Sequence, residues 1–142
     1  MAPKPDVAEI DPALIEASLE AVAAACEDPT PHVYAALFAR HPEMEALFIL
    51  DRSGAVRGQM LAQAVASLVD LAGPQTWGGH LMRAEIVNHE GWGVPPEVFA
   101  TFYPVVRDAF RDLAGLAWTA EMDGAWDILL ARVDATIARV AP

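Results

Sequence analysis

The amino-acid sequence predicts an all-α protein with about six to eight helices of unequal length. Apolar side chains recur at steps of three and four residues along most of the chain, which is the spacing of one helix face. No segment alternates apolar and polar residues as a half-buried strand would, and prolines and glycines mark most helix ends. An irregular helical packing around a central cavity fits these segments better than a four-helix bundle, which uses helices of similar length.

The first half of the chain contains three long predicted helices and one short one. The first two begin at Asp11–Pro12 and Thr30–Pro31, where a capping residue is followed by the proline that a first helical turn tolerates. Pro42 interrupts the second helix, and a short helical piece is predicted from there to Phe48. A third long helix is predicted from about residue 55 to residue 72, where a Gly-Pro pair ends it.

The second half of the chain contains three further predicted helices. One spans about residues 80–90 and ends at Gly91–Trp92–Gly93. The next begins after Val94–Pro95–Pro96 and carries apolar residues at three- and four-residue steps. The last begins at Thr119, an N-cap residue with Glu121 in the first turn, where a negative charge is favourable.

Composition limits both the number of domains and the kind of partner. The 142 residues suffice for one domain, so we expect a flexible Pro-rich segment over residues 1–10 and one domain over residues 11–142. With 9 basic and 20 acidic residues the net charge is −11, which disfavours nucleic acid and anionic membranes as partners. No apolar run approaches the roughly 18 residues of a membrane span. No signal-peptide pattern follows Met1, and the single cysteine, Cys26, suits a reducing compartment, so a cytoplasmic location is expected.

His89 has the most informative setting of the four histidines. It ends a short helix, and the residues from there to Phe99 match the pattern H-x-x-x-G-(V/I)-x-P-E-x-(Y/F). In this segment the chain resembles the globin family, in particular bacterial single-domain haemoglobins and the haem domain of flavohaemoglobins. The histidine of that pattern is the family's proximal ligand of haem iron. The resemblance therefore implies a haem b (iron protoporphyrin IX) ligated by His89, with Val94 and Phe99 beside the porphyrin.

Three further segments are similar to the same family in the same order. Tyr34 precedes Phe48 by fourteen residues, with a phenylalanine and a proline between them, as do the family's distal tyrosine and haem-stacking phenylalanine. Residues 61–68 resemble its E helix, and residues 118–126 resemble the start of its H helix. The resemblance covers about residues 12–140. It implies the globin fold around a haem pocket, Phe48 against the haem, and Tyr34 donating its O–H to a bound gas.

Two registers of the third long helix remain open on the distal side of this pocket. In the favoured one Arg57 faces the iron and Leu61 follows one turn later, because this register turns the apolar stripe inward. In the other register Gln59 faces the iron and Gln63 follows, which buries polar groups. Neither register provides a distal histidine, and Met60 lies near enough to leave a sixth protein ligand open.

Departures from the family pattern limit the chemistry that the resemblance implies. Phe99 stands where flavohaemoglobins have a tyrosine, and residues 135–139 contain no glutamate. The relay that makes the proximal imidazole more basic is therefore missing from its usual positions. Glu85, one turn before His89, replaces the usual leucine. It either pairs with a basic neighbour at the surface or touches the proximal imidazole.

These observations predict a binding protein rather than an enzyme, with no catalytic residue. The expected function is reversible binding of O₂, or of NO or CO, at a His-ligated iron. NO dioxygenase or pseudo-peroxidase side activity would require an external reductant, and an external reductase is the expected partner for it. Two alternatives remain open, namely a gas or redox sensor acting through a partner protein and a haem-free globin-like interaction module. Apolar faces on the last two helices allow a homodimer.

Overall fold

The computed structural model describes residues 9–73, 80–91 and 94–140. Within these ranges there are α-helices and 3-10 helices and no strand, which confirms the all-α prediction. The α-helices are α1 (Pro12–Ala25), α2 (Thr30–Arg40), α3 (Ala55–Ala72), α4 (His80–Gly91), α5 (Pro96–Phe99), α6 (Phe102–Ala114) and α7 (Ala120–Val140). Short 3-10 helices span Pro42–Phe48 and Gly115–Ala117.

Some sequence-based expectations fall on residues outside these ranges. The flexible segment predicted over residues 1–10 lies outside them except for its last two residues, and so do Pro74 and Trp92–Gly93. The expected domain over residues 11–142 stays a prediction. No helix in the described part of the chain is long and apolar enough to cross a membrane.

Local hydrogen bonds explain where several helices begin. The Asp11 carboxylate accepts a hydrogen bond from the backbone N–H of Ala13 at 3.0 Å and caps α1. The Thr119 hydroxyl accepts from the backbone N–H of Met122 at 3.1 Å and caps α7, as the sequence predicted. At α2 the capping carboxylate comes from outside the predicted pair, because Asp28 accepts from the backbone N–H of Thr30 at 3.0 Å.

The start of α3 depends on the preceding loop, because its N-cap residue is a glycine and provides no capping side chain. Gly54, immediately before the helix, has a φ of 81°, a left-handed conformation that glycine adopts without steric cost. The Asp51 carboxylate then accepts hydrogen bonds from the backbone N–H groups of Val56 at 3.2 Å and Arg57 at 2.9 Å. These bonds satisfy amide groups that the first helical turn leaves without partners.

The helices pack around a core to which every long helix contributes. Helix α6 packs against α1 and α2, while α3, α4 and α7 pack against one another. Trp126 of α7 is completely buried, and its indole N–H donates to the buried Ser18 hydroxyl of α1 at 2.9 Å. The Ser18 hydroxyl in turn donates to the Ile15 carbonyl at 2.6 Å, so the polar groups in this part of the core are paired.

Candidate ligand-binding cavity

A cavity lies between α2, the following 3-10 helix and α3 on one side and the segment from α4 to α6 on the other. Its volume is about 660 Å³, including space open to solvent. Pockets for organic ligands combine apolar walls with a few polar groups. This cavity has that character, since its polar side chains stand among mostly aliphatic and aromatic ones.

Tyr34 lies within an aromatic wall on the α2 side of the cavity. Its ring centroid is 5.3 Å from that of Phe48, 5.6 Å from that of Phe102 and 5.9 Å from that of Phe38. Tyr34 is 2% exposed, and its buried hydroxyl has no hydrogen-bond partner among the described residues. Such a group costs roughly 1–3 kcal/mol unless a ligand or water satisfies it.

The Tyr34 hydroxyl is a proton donor at every ordinary pH. Burial raises the pKa of the phenol well above its usual value of about 10, and this effect outweighs the nearby Arg57 guanidinium, which lowers it. The Asp51 carboxylate adds a smaller upward contribution. The cavity therefore contains a protonated, desolvated O–H group.

His89 also lines the cavity, close to the end of α4. Its Nδ1 lies 2.8 Å from the backbone oxygen of Glu85. A carbonyl oxygen can only accept, so Nδ1 must carry the proton, and in the neutral ring Nε2 keeps a free lone pair. The ring packs on Phe99 at a centroid distance of 4.9 Å, and the N–H of Val94 donates to the His89 carbonyl at 2.9 Å. These contacts fix an imidazole that can act as a ligand.

Helix α3 presents a face to the cavity that differs from both registers considered from the sequence. The residues that line the cavity are Met60, Gln63 and Ala64. Arg57, predicted to face the iron, does not line it, and the same holds for Leu61, which is buried in the core. Gln59 is exposed, so of the two residues that the second register turns inward only Gln63 lines the cavity.

The position of Arg57 has a local cause. Its Nε donates to the Asp51 carboxylate at 3.0 Å, and its terminal nitrogen donates to the Asp51 backbone oxygen at 2.8 Å. The pair lies in the turn before α3, where Asp51 also caps the helix. The guanidinium is therefore held at the helix start, and its charge reaches Tyr34 without the side chain entering the cavity.

Of the residues predicted to bind the cofactor, the structure brings five together around one cavity. These are Tyr34, Phe48, His89, Val94 and Phe99.

Phe102 and Tyr103 also line the cavity, although sequence reasoning did not assign them to it, and so does Glu85, whose role the sequence left open between two alternatives. The sequence could have predicted Phe102 as a lining residue, because it belongs to the same apolar stripe as Phe99. The sequence contains no such signal for Tyr103, because this residue lies beside that stripe rather than in it. Of the two alternatives for Glu85, the structure favours contact with the imidazole, because its carboxylate lies 3.7 Å from His89 Nδ1.

The donor set restricts which metal species the cavity can hold. The described residues contain no cluster of three or more His, Cys, Asp or Glu side chains arranged for a metal ion. A bare ion would need several such ligands, whereas haem iron takes four nitrogens from the porphyrin and needs only one imidazole from the protein. The apolar walls, one oriented imidazole and one buried phenol fit a haem group.

Comparison with known proteins gives one match. The family model described as Globin matches residues 31–137, roughly three quarters of the chain, and includes every residue discussed around the cavity. Together with the helices described above, this match confirms the predicted globin fold. Neither a curated protein nor a solved structure matches the chain.

Proposed function

The chain belongs to the globin family, and on this premise we propose that it binds one b-type haem through His89 and a diatomic gas on the side of Tyr34. The haem iron supplies an open coordination position for O₂, NO or CO. Reversible gas binding in the manner of bacterial single-domain haemoglobins is the function that these side chains support best.

The observation that carries this proposal is the buried hydroxyl of Tyr34, which has no partner among the described residues. A folded protein retains an unsatisfied buried donor at a cost in stability, so this hydroxyl calls for a ligand or a water molecule that satisfies it. A polar gas in the cavity accepts a hydrogen bond from the phenol and removes this cost. A haem group in this cavity would give bound O₂ partial negative charge, and the Tyr34 O–H would then favour O₂ over less polar ligands.

Neighbouring residues support the proposed roles of His89 and Tyr34. His89 holds the haem, and its Nδ1–H···O bond to the Glu85 carbonyl keeps Nε2 as the coordinating nitrogen. Phe48 and Phe102 surround the Tyr34 ring and keep water from its hydroxyl. In this dry setting a hydrogen bond to the gas is stronger than it would be in water.

A visible spectrum with a haemin titration tests the proposal. The purified or reconstituted protein is expected to show a Soret band that shifts on reduction and again when CO is added. A protein that takes up no added haemin would contradict the proposal.

Substitution of the ligand makes this test specific. His89→Ala is expected to abolish or strongly weaken haem retention, because no other imidazole lines the described cavity. His32→Ala is the matched control, since His32 is exposed on α2 and lies outside the cavity lining. Full haem retention by His89→Ala would show that another residue ligates the iron.

A further inference from the structure

Glu85 brings a carboxylate into the cavity on the same face of α4 as His89. The two residues are four apart, which is the spacing that places helical side chains next to each other. The Glu85 side chain is 23% exposed, and its Oε2 lies 3.7 Å from His89 Nδ1. A carboxylate at this position is half-buried against an apolar pocket, where burial costs free energy unless the charge has a partner.

Two parts of Glu85 act on the same nitrogen of His89. Its backbone oxygen accepts the Nδ1–H bond at 2.8 Å and sets the orientation of the ring. The distance of 3.7 Å from the carboxylate is too long for a hydrogen bond, so the carboxylate acts on the N–H through its charge. Both interactions pull the Nδ1 proton away from the ring and leave more electron density on Nε2.

The surroundings of this pair keep the charge effective. The Phe99 ring packs between His89 and Tyr103, with centroid distances of 4.9 Å and 5.4 Å. Burial, and to a smaller extent the negative charge of Glu85, raises the pKa of the Tyr103 phenol, which therefore remains neutral beside the carboxylate. Charge–dipole interactions are screened less among such apolar neighbours than in water.

We propose that Glu85 is a positioning residue whose carboxylate makes His89 a stronger electron donor to the haem iron and so favours the ferric state. This inference rests on the proposed haem-binding function. Carboxylates beside the free N–H of a metal-bound histidine raise the basicity of the ligand in this way. Glu85 thus sets how readily the protein stays in the ferrous form that binds O₂.

The test compares the ferric/ferrous midpoint potential of the haem-loaded wild type and of Glu85→Gln at one neutral pH. The variant keeps the length and the backbone carbonyl and removes only the charge. The ferrous-to-ferric ratio at a fixed potential is expected to rise about tenfold, which is an upward midpoint shift of about 59 mV for one electron. The iron–histidine stretching vibration of the ferrous protein is expected to move to lower frequency.

Two further variants separate this role from a structural one. Glu85→Asp keeps the charge and is expected to return the midpoint toward the wild-type value. Glu97→Gln removes an exposed carboxylate from α5 and is expected to leave both readouts unchanged. If Glu85→Gln does not fold, Glu85→Leu must show the same upward shift.

The outcomes distinguish this inference from the function on which it rests. Wild-type protein that takes up no haem overturns both. Wild-type protein that binds haem, with an unchanged midpoint and iron–histidine vibration after the charge of Glu85 is removed, overturns only the role of Glu85.

Discussion

Replacing Tyr34 by phenylalanine removes a single buried hydroxyl and leaves the aromatic wall in place. The ring contacts with Phe38, Phe48 and Phe102 involve the aromatic face and edge, which phenylalanine also provides. The change therefore isolates the hydrogen bond that the phenol is proposed to donate to the gas.

The expected effect follows from the state of that hydroxyl. A hydrogen bond to a partly charged acceptor in a dry site contributes about 1–3 kcal/mol, which corresponds to an O₂ dissociation rate about 5- to 150-fold faster in the variant. In the haem-free protein the same substitution is not expected to lower the stability of the fold. There the hydroxyl is a buried donor without a partner among the described residues, so Tyr34→Phe is expected to leave the free energy of unfolding unchanged or to raise it.

Two measurements check these expectations, namely the O₂ dissociation rate by stopped flow and urea unfolding of the haem-free protein. CO dissociation is the internal control, because CO is less polar and is expected to change less. An unchanged O₂ dissociation rate would refute the assignment of Tyr34 as the group that contacts the gas. A marked loss of stability in the haem-free variant would show that the hydroxyl has a protein partner instead.

Three further predictions concern the scaffold of the cavity. Trp126→Phe removes the hydrogen bond to Ser18 and leaves unfilled volume, so the free energy of unfolding in urea is expected to fall by about 1–3 kcal/mol. Gly54→Ala is expected to cost about 1–2 kcal/mol in the same assay, because its φ of 81° is strained for any residue with a Cβ. The pKa of the Asp51 carboxyl is lowered. Burial acts to raise it, but hydrogen bonds from the backbone N–H groups of Arg57 and Val56, together with the Arg57 guanidinium, outweigh burial. A lowered pKa contributes stability above the ordinary value of about 4 and loses it as the pH falls through the folded value, so Asp51→Asn is expected to flatten the decline of the urea midpoint at acid pH.

Most of the fold could be predicted because its signals are local. Asp11 and Thr119 cap their helices through side-chain hydrogen bonds that span two or three residues, and such bonds depend on little beyond the adjacent sequence. Within the ranges described, most residues of the predicted apolar stripes are buried or pack against the core, although Val69 of α3 is exposed. At α2 the predicted Thr30 cap is wrong, because Thr30 is already the first helical residue and the Asp28 carboxylate accepts from its backbone N–H.

The candidate site could be predicted only where a pattern joins residue type and spacing. Tyr34, Phe48 and His89 line one cavity as the resemblance implied. Arg57 was expected to face the iron because that register turns the apolar stripe of α3 inward. The structure follows neither register, and Asp51 holds the Arg57 backbone N–H and guanidinium at the start of the helix, a contact that apolar periodicity does not predict.

The sequence by itself predicted most helical segments, several of their starts and the histidine near the end of α4, because propensity, capping and spacing act over a few residues. It did not predict that the single helix expected after Pro96 is divided into α5 and α6. Only the tertiary structure decided which face of α3 meets the cavity, that the Tyr34 hydroxyl is buried without a partner among the described residues, and that Glu85 lies beside His89 within the cavity. A spacing of four residues makes Glu85 and His89 neighbours on any helix. Whether that shared face meets solvent or a ligand depends on the packing of Phe99 against His89, which is a contact between two different helices.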